Sequence, residues 1–197
     1  METASVQCVR EIALPVLEAG VDLVLLSIGA LADEAFTAQL SETAARHGAQ
    51  VHIASGAVGG FDVLQTLTLM AKAMDLKQDV ELLNYKNPHG LLNTPLYRDD
   101  LTQAPADVFQ GTAAQAIALL PTKVNVAVAT SLATTGPDHA RSHICTIPDY
   151  ESDNQRITVD VDGGYKAVVD IYIPSSDIAG WSLVSLLRNL NAPICLY

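Results

Sequence analysis

The fold is decided by the stretch SGAVGGFDVLQTLTLMA, residues 55–71, in which three glycines precede an apolar segment of helical length. A short apolar run, VHIA (51–54), comes directly before it and is typical of a buried strand. Glycines between a strand and a helix can hold a phosphate against the free N–H groups of the helix. They can also make a tight crossing at which a larger side chain would clash. Both interpretations are open, and the tight crossing is favoured because short glycine motifs often mislead.

Helices and short apolar strands alternate before this stretch. The spacing of apolar residues predicts helices over 6–19, 32–47 and 61–74, and strands over 21–28 and 51–54. This rhythm is typical of a doubly wound α/β domain with a parallel sheet. A dinucleotide-binding fold begins on a strand followed by G-x-G-x-x-G, and no such motif precedes residue 55. Either the first half of that fold is missing from the chain or the fold is a different one.

The second half of the chain has a different pattern. Strands are predicted over 79–88, 124–133, 140–148, 156–162 and 165–174, helices over 112–120 and 178–190, and a closing strand in PICLY, 193–197. Asp162-Gly163-Gly164 supplies a tight turn between two alternating strands. Residues 88–107 are predicted to be mostly loop, and Leu183, Leu186, Leu187 and Leu190 are predicted to form the buried stripe of the last helix.

The expected fold is therefore α/β, with a partial Rossmann-like parallel sheet joined to an α+β domain whose sheet is mostly antiparallel. Three regions are expected. Residues 1–56 form the remainder of a dinucleotide-binding domain, and residues 57–176 form a catalytic and oligomerisation domain. Residues 177–197 form a C-terminal helix and strand that pack back near the Rossmann part.

Composition excludes several classes of function. The 197 residues are 49% apolar, enough for a substantial core, and the net charge of −11 argues against a nucleic-acid partner. The sequence contains no run of about 18 apolar residues, so no membrane span is predicted. The N-terminus lacks the pattern of a signal peptide. Three cysteines without metal-ligand spacing indicate reduced thiols, so a cytoplasmic protein is expected.

Several segments together resemble the L-aspartate dehydrogenase family. They are SIGALADEAF (27–36), ASGAVGGFDVL (54–64), VNVA (124–127), ETAS (2–5) and LLRNL (186–190). The resemblance covers the whole chain and implies an NAD(P)-dependent oxidoreductase acting on a small amino or imino acid. Family members carry about one further β-α-β-α block, with the glycine fingerprint, at the N-terminus. The resemblance therefore explains the start on a helix, and the 197 residues alone are expected to bind the cofactor weakly and to be inactive.

The resemblance also implies site residues. Ala57 falls where the family places backbone beside the nicotinamide, and Asn125 falls on a second cofactor contact, with either NAD or NADP as the cofactor. Gln155 falls on the family's catalytic histidine, Asp153 falls on an asparagine before it, and Lys123 replaces a family asparagine. A loop is also shortened at 175–180. Because glutamine does not titrate, Gln155 can orient a substrate but cannot act as an acid or base.

These departures leave open a non-catalytic relative that keeps the fold for assembly or ligand sensing. A homodimer or larger assembly is expected in either case, through the antiparallel sheet.

Other polar residues support weaker hypotheses. His139 and His143 with Cys145 suggest a metal, but no second ligand pair is visible and no metal site is predicted. Lys86 is either a contact for a substrate carboxylate or a solvated loop lysine, and the second is favoured.

Overall fold

The computed structural model describes residues 1–120 and 125–195, and within them the chain forms two compact units. The first contains residues 1–56 and 179–195, and the second contains residues 57–178 apart from 121–124. In the described chain no helix is long and apolar enough to cross a membrane. All three cysteines are free.

The first unit contains two short parallel strands, β1 (Leu23–Leu25) and β2 (Val51–Ile53). Glu2 forms a parallel bridge to Leu25 on the other edge of β1, with the Glu2 N–H donating to the Val24 carbonyl at 2.8 Å. The parallel pairing therefore extends to both sides of β1. β1 is shorter than the apolar run 21–28 because the chain turns at Ile28 into a 3₁₀ helix, Ile28–Ala32.

Three helices complete the first unit: α1 (Val6–Glu18), α2 (Glu34–His47) and most of α6 (Asp177–Leu190). Side-chain caps fix where α1 and α2 begin, since Ser5 Oγ accepts from the Cys8 N–H and Asp33 Oδ1 from the Phe36 N–H. α1 continues through Pro15, which is exposed, so the missing hydrogen bond falls on the solvent side.

The buried stripe of α6 is narrower than its leucine spacing predicts. Leu183 is buried and packs with Val24 and Ala54, and Leu186 is partly buried against the same cluster. Leu187 and Leu190 are each 37% exposed, so the prediction that all four leucines are buried is wrong for these two. The helix meets its own unit along one edge only, and two of its leucines lie outside that edge.

The second unit is built on a five-stranded sheet in the order β4-β5-β3-β6-β7. Its strands are β3 (Gln78–Lys86), β4 (Ala106–Thr112), β5 (Arg141–Thr146), β6 (Asp153–Val161) and β7 (Tyr165–Ile173). Only the β3–β5 pair is parallel among these strands, so the predicted mostly antiparallel sheet is confirmed. Two 3₁₀ helices, Pro88–Leu91 and Asp99–Thr102, lie in the segment predicted as loop.

Helices α3 (Phe61–Ala73), α4 (Ala113–Leu119) and α5 (Asn125–Ala133) belong to this unit. The strand predicted over 124–133 is wrong from residue 125 onward, where the chain is helical. An apolar run that is buried on nearly every side has no periodicity to separate strand from helix. In PICLY, residues 193–195 form no strand, and residues 196 and 197 lie outside the described part.

Candidate active site

A buried polar row crosses the face of the second unit's sheet that packs against α3. Asn84 on β3 and Gln155 on β6 are register partners and are only 5% and 4% exposed. The Asp153 carboxylate accepts from both amides through Oδ1, at 2.5 Å from Asn84 Nδ2 and 2.8 Å from Gln155 Nε2. One carboxylate thus satisfies two buried donors, which would otherwise destabilise the fold.

Lys86 closes this row at the end of β3. It lies two residues beyond Asn84, so both side chains leave the same face of the strand. Lys86 Nζ is 3.7 Å from Asp153 Oδ2, and the lysine side chain is only 14% exposed. The preference for a solvated loop lysine is therefore wrong, because the residue ends a strand and is largely covered.

Tyr150 and Ser152 border the same end of the sheet. Burial raises the pKa of the Tyr150 phenol, and the neighbouring acidic groups Tyr172 and Asp153 raise it further. The Ser152 hydroxyl lies 3.0 Å from the Ile173 carbonyl oxygen and is itself buried. The hydrogen bond from Ser152 holds the backbone next to Asp153, the acceptor of the two amides.

The glycine turn lies on this same face of the sheet, one strand beyond Gln155. Ile171 on β7 is the register partner of Gln155, so their side chains point to the same side. A Cβ atom placed on Gly59 would lie 3.9 Å from Ile171 Cδ1, an ordinary van der Waals contact. The turn therefore rests on the side chain next to Gln155, and Ala57 lies half-buried two residues before that contact.

Asn125 stands apart from the polar row. It is the exposed first residue of α5, and α5 packs against α3, the helix that the glycine turn begins. Lys123, which the resemblance places beside it, lies outside the described residues. The structure brings Gln155 and the glycine turn together, and it links Asn125 to them only through the packing of α5 on α3.

Comparison with known proteins identifies the family. Residues 67–190 match the family model of the aspartate dehydrogenase C-terminal domain, and residues 1–54 match that of the homoserine dehydrogenase NAD-binding domain. The chain belongs to the aspartate dehydrogenase family. It is 31% identical to the L-aspartate dehydrogenase of Methanosarcina acetivorans and 30% identical to that of Methanococcus maripaludis. It covers 74% and 73% of those two proteins, with 98% of its own length aligned in each case.

The fold agrees with a solved member of the family. The crystal structure of aspartate dehydrogenase from Thermotoga maritima superposes with a TM-score of 0.81 at 26% identity, over 100% of this chain and 77% of that one. The expected fold class and the family resemblance are both confirmed. Family membership also supports an oxidoreductase, with NAD or NADP as the cofactor implied by the resemblance.

The residues of the glycine turn fit the ring end of such a cofactor better than its phosphates. No Lys or Arg occurs between residues 48 and 71, so the turn offers no side-chain cation to a pyrophosphate. Gly56 and Gly60 have φ of +64° and +67°, and Ala57 between them carries only a methyl group. Small residues on a bent backbone allow a flat ring to approach closely.

The sequence analysis named Gln155 and Ala57 as candidate site residues but did not name Asn84. Inward positions of β3 read Val80, Leu82, Asn84 and Lys86, so the polar residues interrupt an apolar alternation. A polar side chain at an inward position needs a hydrogen-bond partner, so this pattern could have indicated a polar site at Asn84. Asp153 is the partner, and only the pairing of β3 with β6 reveals it.

Proposed function

We propose that this chain forms part of an NAD(P)-dependent oxidoreductase that acts on a small amino or imino acid. In this proposal residues 1–56 are the remainder of the dinucleotide-binding domain and 57–176 the catalytic domain. Residues 177–197 close the chain beside the first region. Ala57 lies beside the nicotinamide, Asn125 is a second cofactor contact, and the substrate lies over the polar row. The observation that carries the proposal is the position of Gly59, where an added Cβ atom would lie 3.9 Å from Ile171, the register partner of Gln155.

The polar row can bind and orient a substrate. NAD or NADP, when bound, would exchange a hydride with the substrate α-carbon. The Lys86 ammonium is the cation of the row and would attract a substrate carboxylate. Gln155 offers an amide oxygen, because its nitrogen is held by Asp153, and that oxygen can accept from a substrate amino group.

Proton transfer is the step in which this site departs from the family. Oxidation of an amine removes a proton from nitrogen together with the hydride from carbon, and Gln155 cannot take that proton. A base in the substrate's reach, or solvent, must do so. We therefore expect slow turnover of aspartate, or a preferred substrate other than aspartate.

Substrate-dependent reduction of NAD⁺ or NADP⁺ tests this proposal, measured on a purified protein that joins this chain to the N-terminal β-α-β-α block of its relatives. The tests below use the same protein, since the 197 residues alone are expected to be inactive. Turnover of any amino acid that exceeds the blank and is abolished by Gln155→Leu supports it. The control Gln7→Leu changes a glutamine on α1 whose amide bonds to Glu11, and it should leave turnover unchanged. Absence of both turnover and dinucleotide binding, the latter measured by calorimetry, would refute the proposal.

A non-catalytic relative is the second candidate. It is favoured by the Gln155 amide, which is buried and held in a structural hydrogen bond to Asp153. In that case the variant Gln155→His should still show no aspartate-dependent reduction of NAD⁺. Aspartate turnover gained by Gln155→His would count against this candidate, because it would show that the remaining residues still position substrate and cofactor.

A homodimer is proposed for either candidate, through the sheet face opposite the polar row. Val168 and Tyr172 on that face are 51% and 60% exposed, and Leu83 and Tyr85 on the same face of β3, two strands away, are half-buried. Exposed apolar side chains on an open sheet favour association. Tyr172→Glu should shift the mass from light scattering to that of the monomer, whereas Trp181→Glu, at a residue 70% exposed on α6, should not. A monomeric parent protein would refute this assignment.

A further inference from the structure

Three potential metal ligands meet on the face of the sheet opposite the polar row. His143 and Cys145 are two residues apart on β5, so they leave the same face, while Ser142, Ile144 and Thr146 leave the other. Asp107 on β4 is the register partner of Cys145. Among the described residues this is the one group of at least three His, Cys, Asp or Glu side chains that could hold a metal ion.

The donor atoms converge on one point. Cys145 Sγ lies 3.0 Å from Asp107 Oδ1 and 3.3 Å from His143 Nε2, and Nε2 lies 3.0 Å from the same Oδ1. Gln110 Nε2 also lies close to this nitrogen, at 3.1 Å from His143 Nε2. A neutral imidazole nitrogen has either one hydrogen or one lone pair, so it cannot make all three of these contacts as hydrogen bonds.

A β-bulge on β4 creates this arrangement. The register shifts between Asp107 and Phe109, so Phe109 pairs with Ile144 and Gln110 pairs with His143. The extra residue is Val108. Without the bulge, Phe109 would pair with His143 and place an aromatic ring beside the imidazole. Bulges commonly re-aim side chains next to functional sites, and here the bulge keeps two polar side chains facing β5.

The three contacts do not form a nucleophilic triad. In such a triad the acid holds one ring nitrogen and the nucleophile contacts the other, whereas Asp107 and Cys145 both contact Nε2. Burial and the Asp107 carboxylate raise the pKa of Cys145 to about 12, which disfavours the thiolate in the metal-free protein. The geometry is that of a ligand set around a shared centre.

We infer that Asp107, His143 and Cys145 bind a zinc ion, with solvent at the fourth position. Sulfur, imidazole nitrogen and carboxylate oxygen together are the ligand set of Zn²⁺, whereas Mg²⁺ and Ca²⁺ require oxygen ligands. A thiolate and a carboxylate carry the two negative charges that balance a divalent cation. Tetrahedral zinc spaces such ligand atoms about 3.4–3.6 Å apart, so the present cluster needs to open by only about 0.3–0.6 Å.

In the single chain the site is accessible to an ion from one side, on the same sheet face as the proposed homodimer contact. The Asp107 side chain is 64% exposed and that of His143 is 22% exposed, while Cys145 forms the buried base. An ion can therefore enter past the carboxylate and displace the thiol proton as it binds. This site is independent of the polar row, so it can be present whether or not the chain is a dehydrogenase.

Cobalt and zinc binding by the whole chain test the inference. Co²⁺ added to chelator-treated protein should produce thiolate-to-metal charge-transfer absorption, and Zn²⁺ should abolish that band at about one equivalent per chain. Cys145→Ser should remove the band. Asp107→Asn and His143→Asn should each weaken Zn²⁺ binding by more than about tenfold, since even outer-shell partners contribute that much.

Cys8→Ser and Cys195→Ser are the matched controls, because each removes a partly exposed thiol that is not among the three proposed ligands. Both should retain the band and the zinc affinity. Circular dichroism of every variant checks that it is folded, and Cys145→Ser and Asp107→Asn nearly preserve volume. The inference is overturned if no stoichiometric zinc binding is found, if the band survives Cys145→Ser, or if Cys8→Ser abolishes it instead.

Discussion

Gly60 lies so close to Val169 that any larger residue at its position would have to displace the valine side chain. A Cβ atom on Gly60 would come within 2.6 Å of Val169 Cγ2, and its φ of +67° is one that L side chains rarely adopt. Gly60 also begins α3, so the helix meets the sheet through backbone alone at this point. Gly60 is therefore required for close packing, which supports the interpretation of the glycine cluster that the sequence favoured over a phosphate loop.

Gly60→Ala should destabilise the second unit by about 2–4 kcal/mol, from backbone strain and overpacking together. Urea unfolding measures the free energy of unfolding. Gly48→Ala isolates the strain, because Gly48 also has φ +67° but nothing lies within 4 Å of its Cβ position. We expect about 1 kcal/mol there.

Val169→Ala in the Gly60→Ala background should recover part of the loss, because the contact that clashes is then removed. Residues in direct contact give non-additive effects in such a cycle. Equal losses for Gly60→Ala and Gly48→Ala, with no recovery in the double variant, would show that the close contact is unimportant.

Asp153 should be the most sensitive acidic residue of the second unit. Asp153→Ala leaves the buried amides of Asn84 and Gln155 without their shared acceptor, so we expect a loss of about 1–3 kcal/mol in the free energy of unfolding. Asp160→Ala is the control on the same strand. It breaks only an exposed ion pair with Lys166 and should change stability by less than about 1 kcal/mol. Similar losses in the two variants would contradict the assigned role of Asp153.

The fold was largely predictable because its elements are marked locally. Asp162-Gly163-Gly164 and the alternation around it predicted the β6–β7 hairpin, and the caps at Ser5 and Asp33 begin the helices that periodicity predicted. α5 was not predictable in this way, since its buried alanines and valines on several sides carry no helical period.

The site was less predictable because it depends on pairing between distant strands. Gln155 was found through resemblance, yet its partner Asn84 lies 71 positions earlier and is joined to it only by the β3–β6 register. Asp107 was not predicted to lie beside His143 and Cys145 for the same reason. In addition, a β-bulge shifts the register of β4, and no sequence pattern predicted that bulge. Periodicity determines which face a residue occupies, whereas strand order determines its neighbours.

Lys86 should act on substrate binding more than on the chemical step if the proposed function is correct. Lys86→Met removes the cation while keeping the aliphatic stem, so KM for a carboxylate substrate should rise by about tenfold or more, with a smaller change in kcat. Lys72→Met, at an exposed position on α3, should leave both unchanged. A KM unaffected by Lys86→Met would place the substrate carboxylate elsewhere.

Asp33 should give the first unit a measurable sensitivity to acid. The Phe36 N–H and then Arg10 lower the pKa of the Asp33 carboxyl below its ordinary value of 3.8. A carboxyl whose pKa is lowered on folding stabilises the native state above its unfolded pKa. That stabilisation is lost as the pH falls through the folded value. The stability difference between the parent and Asp33→Asn should therefore be constant near neutral pH. It should shrink to a smaller constant value as the pH falls through the lowered pKa of Asp33.

Arg10→Gln separates the two causes of this shift. Because the hydrogen bond from the Phe36 N–H is the larger cause, Arg10→Gln should keep most of the acid sensitivity, whereas Asp33→Asn, which still caps the helix through its amide oxygen, should lose it. Thermal unfolding followed between pH 2 and 7, with the three proteins at one ionic strength, measures the effect. If Arg10→Gln abolished the acid dependence as completely as Asp33→Asn, the ion pair between Arg10 and Asp33 would be its source. The helix cap would then contribute only a hydrogen bond that does not depend on pH.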